Sequence, residues 1–360
     1  MLYVGVDAHK ATSQVTVMDS GGNILRRKRI VSSPIAVRQA LAGYDEPLKA
    51  VLEASYCWAP MYDWLDEVAD EVVLAHPLKV RAIAEARIKT DKIDSEILAH
   101  LLRSDLIPRA HASSQDVRAR RRVLRQRMFL IRLQTMVKNR IRALLVQHIS
   151  EQPKVSDLFG KCGRDWLRRV QLPDPDGRLL KEDLELLEFL QQEISKTDRL
   201  IAELAQGDEA VQFLASVPGI GVFLSVLIRW EVDIIERFRQ AKKFASYTGL
   251  VPSTYASGNR IVHGRLTKQG NKWLRWAFVE AVSPAVRSSA YLHSFYQRIK
   301  LRRGVKDARI ATARKIAELA WTVWTERRRY QERLPISVRT RHGGEMTAVK
   351  DPVALAVTWA

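Results

Sequence analysis

Three short apolar runs crowd the first 31 residues, and they constrain the fold more than any other stretch of the chain. LYVGVDA from Leu2, SQVTVMD from Ser13 and ILRRKRIV from Ile24 are β-rich, and Gly21-Gly22 between the last two reads as a hairpin turn. Links this short join antiparallel neighbours. Pro34 then opens a helical pattern through Tyr44, and KAVLEAS is a short apolar run suited to a buried strand. A helix over 59–68, a strand at EVVLAHP and helices from about Leu78 and Asp91 complete the segment. The pattern predicts a mixed sheet with helices on its faces.

Charge divides the chain further. Its 360 residues carry 59 Lys and Arg against 40 Asp and Glu, a net charge of +19. Residues 1–110 hold −1 of this, 111–210 hold +4, and 211–360 hold +16. A neutral N-terminal unit is thus followed by a binder of polyanions, a nucleic acid or an anionic membrane surface. No run of 18 apolar residues exists to span a bilayer, so the expected partner is a soluble polyanion. MLYVGVDAHK lacks the basic start of an export signal. A hydrophobic content of 46% excludes a disordered basic tail protein. Cys57 and Cys162 are too few for a Cys-based zinc module or a disulfide scaffold, which fits a reducing compartment.

The middle of the chain has helical periodicity. Leu180, Leu187, Leu190, Ile194, Ile201 and Leu204 mark one helix, with Thr197 in the remaining core slot. Val123, Leu130, Leu133, Val137, Ile141 and Leu144 mark another, in which Arg118 to Arg142 contains ten basic residues and no acid. The Pro/Gly-bearing segment between them predicts an antiparallel coiled-coil hairpin, with two helices of a globular bundle as the alternative.

Four carboxylates occupy unusual settings. Asp7 lies within the first strand pattern and Glu53 follows the apolar run Ala50-Val51-Leu52. Asp91 and Asp94 stand three apart at a helix start and share a face, where they also suit the helix dipole. A bare acid in a central strand costs several kcal/mol in effective terms unless it is paired or metal-bound. Acids from two strands and one helix can converge into a cage of oxygen ligands for Mg²⁺ or Mn²⁺, the ions that serve phosphodiester cleavage.

GVDAHK at Gly5–Lys10, LEAS at Leu52–Ser55 and TDKIDSEIL at Thr90–Leu98 resemble the three acidic motifs of the DEDD insertion-sequence transposases of the IS110 type. Tyr56 and Cys57 stand where that family often has glycines, and Ser95 where it often has alanine. The resemblance implies an α/β plus α chain. It comprises a RuvC-like ribonuclease H fold over 1–110, a coiled-coil hairpin with its basic helix over 111–210, and a mostly helical C-terminal transposase domain over 211–335. Residues 336–360 read as a flexible tail. The implied catalytic and metal-binding acids are Asp7, Glu53, Asp91 and Asp94.

The basic module continues the match. VPGIG at Val217–Gly221 resembles a helix-hairpin-helix, with Gly219 and Gly221 letting backbone N–H groups approach phosphate. From Arg237 to Lys315 there are 18 basic residues and two acids, with Tyr247, Tyr255, Trp273, Trp276 and Phe278 interleaved. Core packing is the expected role of Trp276 and Phe278. Gly249-Leu250-Val251-Pro252 and the Tyr255-Ala256-Ser257-Gly258 loop resemble the family's C-terminal domain. Ser257 matches the catalytic serine that attacks DNA; by itself, a serine before glycine in a basic loop is an ordinary turn residue. His263 nearby can hold phosphate or shuttle a proton. Expected nucleic-acid contacts are Arg118, Arg121, Arg122, Arg125, Arg132, Lys138, Arg260, Arg265, Lys268 and Lys272, together with the two hairpin glycines.

The resemblance also implies DNA as substrate, a structured guide RNA, a homo-oligomer (dimer or tetramer), and a cytoplasmic, nucleoid-associated location. A structure-selective junction endonuclease would need the four acids and not Ser257. A non-catalytic nucleic-acid-binding protein with a degenerate ribonuclease H fold would need neither.

Overall fold

The computed structural model describes residues 1–84, 91–148, 153–257, 260–267 and 269–332, with the backbone alone for 254–257, 260–263 and 265. It divides into two compact units, Met1–Ser113 and a second beginning at Ser114.

The first unit is α/β. Its elements are β1 (Leu2–Asp7), β2 (Thr12–Met18), β3 (Ile24–Val31), α1 (Pro34–Leu41), β4 (Leu48–Glu53), α2 (Trp58–Asp66), β5 (Glu71–Ala75), α3 (Pro77–Ile83) and α4 (Asp91–Arg103). Among the described residues they form a five-stranded mixed sheet in the order β3-β2-β1-β4-β5. The first three strands are antiparallel, as their short links require, and β4 and β5 run parallel to β1 and to each other. The helix expected to reach Tyr44 stops at Leu41, because Gly43 turns the chain with φ +88°.

Burial follows from position in the sheet. Val4, Val6, Ala50, Val51 and Leu52 on the two central strands have no exposed surface. Alternation sends Val4, Val6 and Leu52 toward one core with Val37, Leu41, Met61 and Leu65 of α1 and α2. On the other face Val51 and Val73 pack against Val80, Leu98, Leu101 and Leu102 of α3 and α4. The outermost strand β3 carries Arg26, Arg27, Lys28 and Arg29, charges that discourage pairing with another sheet edge.

The second unit is mostly helical. It contains α5 (Gln115–His148), α6 (Lys161–Leu167), α7 (Asp176–Leu204), α8 (Glu209–Ala215), α9 (Val222–Val232), α10 (Ala241–Tyr247), the hairpin β6 (Pro252–Ser257) and β7 (Arg260–Leu266), α11 (Lys272–Ser288) and α12 (Ala290–Thr325). α5 and α7 pack as an antiparallel hairpin. Arg127 meets Asp198, Gln134 Nε2 donates to Gln191 Oε1 at 2.8 Å, Arg140 pairs with Asp183 at 3.0 Å and His148 with Asp176. The seam on α7 is the expected one, except that Thr197 and Leu204 are only partly buried and Asp183 is buried. On α5 it shifts by one residue at three places. Leu124, Gln134 and Leu145 are buried where Val123, Leu133 and Leu144 were expected. Apolar residues flank the seam on both sides there, and the Gln134–Gln191 bond allows a polar side chain to fill a core slot.

α8 to α12 enclose a separate core around Trp230, Phe244, Phe278 and Ile316. Phe278 is fully buried as expected, whereas Trp276 is 39% exposed because it falls on the outer face of α11. The long α12 is two helical limbs that meet at Gly304, where φ is +85°. The expected tail, 336–360, lies outside the described residues, as does Lys268. Among the described residues no helix is long and apolar enough to cross a membrane.

Candidate active site

Asp7 and Glu53 end adjacent parallel strands, whose register pairs Val6 with Leu52. Both therefore emerge on the sheet face covered by α4, because Gly5 and Val51 point the same way two residues earlier. α4 begins with Asp91 and Asp94 in its first turn. A cleft of about 480 Å³ is lined by Asp7, Glu53 and Asp94 together with Arg81 of α3. An adjoining depression is lined by all four acids with His9, Tyr56 and Cys57. The four expected acids thus converge on one end of one sheet face.

Gly5 makes this approach possible. A Cβ at Gly5 would stand 1.9 Å from the Ser95 carbonyl oxygen and 2.7 Å from the Ala99 nitrogen, so α4 lies directly on β1. The contact is closed by Ser95, fully buried, whose hydroxyl bonds Thr16 Oγ1 at 2.9 Å and donates to the Lys92 carbonyl at 3.0 Å. Gly5→Ala must push α4 from the strand. We expect it to destabilise the protein by about 3 kcal/mol in urea unfolding. The accompanying displacement of Asp91 and Asp94 is expected to slow DNA cleavage by about a hundredfold.

The electrostatics distinguish Asp7. Burial raises its carboxyl above the ordinary range, His9 opposes that shift, and the nearby Asp91 and Asp94 charges add to it. His9 was not anticipated. Its Nε2 lies 3.1 Å from Asp7 Oδ2 and 3.6 Å from Asp91 Oδ1, and the three residues offer ligand atoms within 4.8 Å of one another. The sequence signal was present in GVDAHK, where residues 7 and 9 share a face in extended chain. A desolvated carboxylate beside further carboxylates and one imidazole is a donor set that suits a hard divalent cation.

The expected nucleic-acid residues fall into different environments. Arg122 and Arg132 are exposed on α5 and have no ion-pair partner among the described residues. Lys138 lies over the Phe159 ring at 5.3 Å, and exposed Lys272 over Trp273 at 5.0 Å. Arg118 is half-buried. Arg121 departs from the expectation: its Nε donates to the Trp230 carbonyl at 2.7 Å and its Nη2 to that of Glu231 at 3.1 Å. Desolvation lowers its pKa, which marks a guanidinium committed inside the fold. Arg125 donates to Glu231 Oε1 at 3.2 Å, and Asn271 Nδ2 donates to Oε2 at 2.7 Å. Asn271 in turn caps α11, so the 3% exposed Glu231 ties the basic helix to the root of the β6–β7 hairpin.

Gly219 also differs from the expected phosphate contact. Its φ is +83°, and a Cβ there would stand 2.1 Å from the Ala281 carbonyl oxygen, so packing on α11 accounts for this glycine. Gly221 opens α9 with free space around it. The backbones of Ser257, Arg260 and Arg265 lie on the hairpin, with Ser257 opposite Arg260. Their side chains, and those of Tyr255 and His263, lie outside what is described.

Residues 4–150 match a family model of DEDD transposases of the IS110 group, and residues 211–297 match the model described as the transposase IS116/IS110/IS902 family. The chain belongs to the IS110-type DEDD transposases. The first match contains all four acids and α5, and the second contains α9, the β6–β7 hairpin and α11. Curated relatives align over most of their own length. One is a probable family 20 transposase of Pseudomonas aeruginosa, 25% identical over 89% of this chain and 96% of the relative. Another is the transposase of insertion sequence IS1328 from Yersinia enterocolitica, 24% identical over 90% and 96%. A third, the transposase of IS1111A from Coxiella burnetii, is 23% identical over 91% of each. This transposase is accordingly an enzyme of DNA cleavage and transfer, and its DEDD family implies a divalent metal.

Proposed function

We propose that this transposase cuts and rejoins the DNA of an insertion sequence with divalent metal held by Asp7, Glu53, Asp91 and Asp94 and with Ser257 as nucleophile. The observation that carries the proposal is the convergence of the four acids at one end of the β1–β4 pair, inside the region matched to a DEDD family. The strand order β3-β2-β1-β4-β5 supports a RuvC-like, ribonuclease H type of sheet beneath them. Mg²⁺ or Mn²⁺ bound there supplies Lewis-acid stabilisation of charge at the reacting phosphate. Asp7 anchors the cage through its desolvated position, and Asp91 and Asp94 bring charge from the helix.

At the phosphodiester, a bond forms between Ser257 Oγ and phosphorus as the bond to one deoxyribose oxygen breaks. The hydroxyl proton is removed and the leaving oxygen is protonated, so one phosphodiester replaces another. The reverse attack by a new DNA hydroxyl rejoins the strand. Basic surface on α5 and α11 holds the nucleic acid, with DNA as substrate and, by family resemblance, a structured guide RNA that supplies sequence choice through base pairing. Exposed Phe129 and Met136 on α5 and Phe189 on α7 offer apolar surface for a dimer or tetramer. A DNA-bound cytoplasmic location follows from the same reading.

Metal removal tests the centre. Chelation with EDTA is expected to stop cleavage of element-end DNA while leaving DNA binding in place, and Mg²⁺ or Mn²⁺ is expected to restore it. Cleavage that persists in EDTA overturns the metal assignment.

A further inference from the structure

The break in α12 produces a surface that the chemistry above does not use. Leu292 anchors the first limb and Ala308 the second, both with no exposed surface, while every residue from Lys300 to Asp307 is exposed. Gly304 turns the chain between them in the left-handed region, with open space around it. Arg298, Lys300, Arg302, Arg303, Lys306 and Arg309 surround the turn, and Asp307 is the one acid between Arg298 and Arg309. Among the described residues none of these six cations has a carboxylate partner. Two large aliphatic side chains sit among them, Leu301 at 88% exposure and Val305 at 54%.

We propose that the Gly304 turn is a duplex-DNA docking tip, in which the basic residues grip the two phosphate backbones and Leu301 enters the minor groove. Positive charge alone would suit any polyanion. The aliphatic apex selects groove insertion, because a side chain that wedges between base steps must be apolar and must project beyond its own helix. Leu292 on the first limb and Ala313 and Ile316 on the second anchor both limbs in the core behind the apex. The turn lies beyond residue 297, where the second family match ends, so this site is argued from the present chain's own residues. It rests on the family's DNA substrate and is independent of the metal and serine roles.

The test uses the full-length protein and a random-sequence duplex DNA probe. The triple variant Arg302→Ala, Arg303→Ala, Lys306→Ala is expected to bind at least tenfold more weakly and to flatten the slope of log affinity against log salt by about 3. Leu301→Ala is expected to weaken binding by about tenfold while leaving the slope unchanged, since it removes apolar contact only. Every altered side chain is exposed, so the thermal melt should match the parent, and EDTA-resistant binding provides a readout separate from cleavage. Unchanged affinity and slope in the triple variant overturns the proposal. So does loss confined to a duplex-RNA probe, or a Leu301→Ala variant whose oligomer dissociates while its DNA affinity holds, which would assign the apex to a second copy of the chain.

Discussion

Replacing Asp7 by asparagine is expected to lower DNA strand cleavage by about a thousandfold and to raise the melting temperature measured without divalent ions. The loss of cleavage follows from removing a carboxylate of the metal cage, and the gain in stability from electrostatics. Burial, opposed by His9 and reinforced by Asp91 and Asp94, holds the Asp7 carboxyl above the ordinary carboxylate range. An acid whose pKa is higher folded than unfolded binds its proton more readily in the native state. Its contribution to stability is therefore lost as pH rises from the unfolded pKa through the folded one, and at neutral pH the ionised group weighs against folding. Asparagine removes that charge, so the gain in melting temperature should appear at neutral pH and vanish in acid below the ordinary carboxylate range. Added Mg²⁺ should stabilise the parent and leave the variant almost unmoved, because ions bind the native state only where the cage is complete. A variant that melts lower at neutral pH, or that retains cleavage, contradicts this account of the strand-end acid.

The Ser257→Ala variant should lose strand transfer by a factor on the order of 10⁴ or more, since alanine lacks the oxygen that would attack phosphorus. Its divalent-metal binding and its melting curve should match the parent, because the residue belongs to the second unit and the acids to the first. A protein–DNA adduct trapped by the parent and missing from the variant gives a direct gel readout. If the variant still nicks branched DNA at the parent's rate, the junction-endonuclease reading is the better one. Losing the nicks as well supports the covalent route.

Strands and hairpin were legible because period-2 alternation and Gly21-Gly22 are local signals, and the acids because Asp7 and Glu53 interrupt apolar runs. The convergence of Asp91 and Asp94 on them depends on Gly5, whose role is visible only once α4 lies against it. His9 was missed because a histidine near a strand end is usually unremarkable, and its distance to Asp91 is set by tertiary packing. Composition marked α5 as basic without showing which arginines turn inward. Arg121 and Arg125 face the carbonyls and carboxylate of α9, a partner 106 to 110 residues further along. Gly304 was hidden for a similar reason, since one glycine inside a helical pattern does not announce a break. The reading of Ser257 as nucleophile rests on family resemblance alone.

The polar contacts along α5 and α7 have a mechanical consequence. Asp198, Gln191, Asp183 and Asp176 meet successive partners on the opposite helix, so sliding one helix along the other would mismatch every pair at once. At 1.5 Å per residue, the 34 residues of α5 extend about 50 Å. The hairpin is thus a strut of fixed length, and whatever its far end holds is kept at a set span from its base.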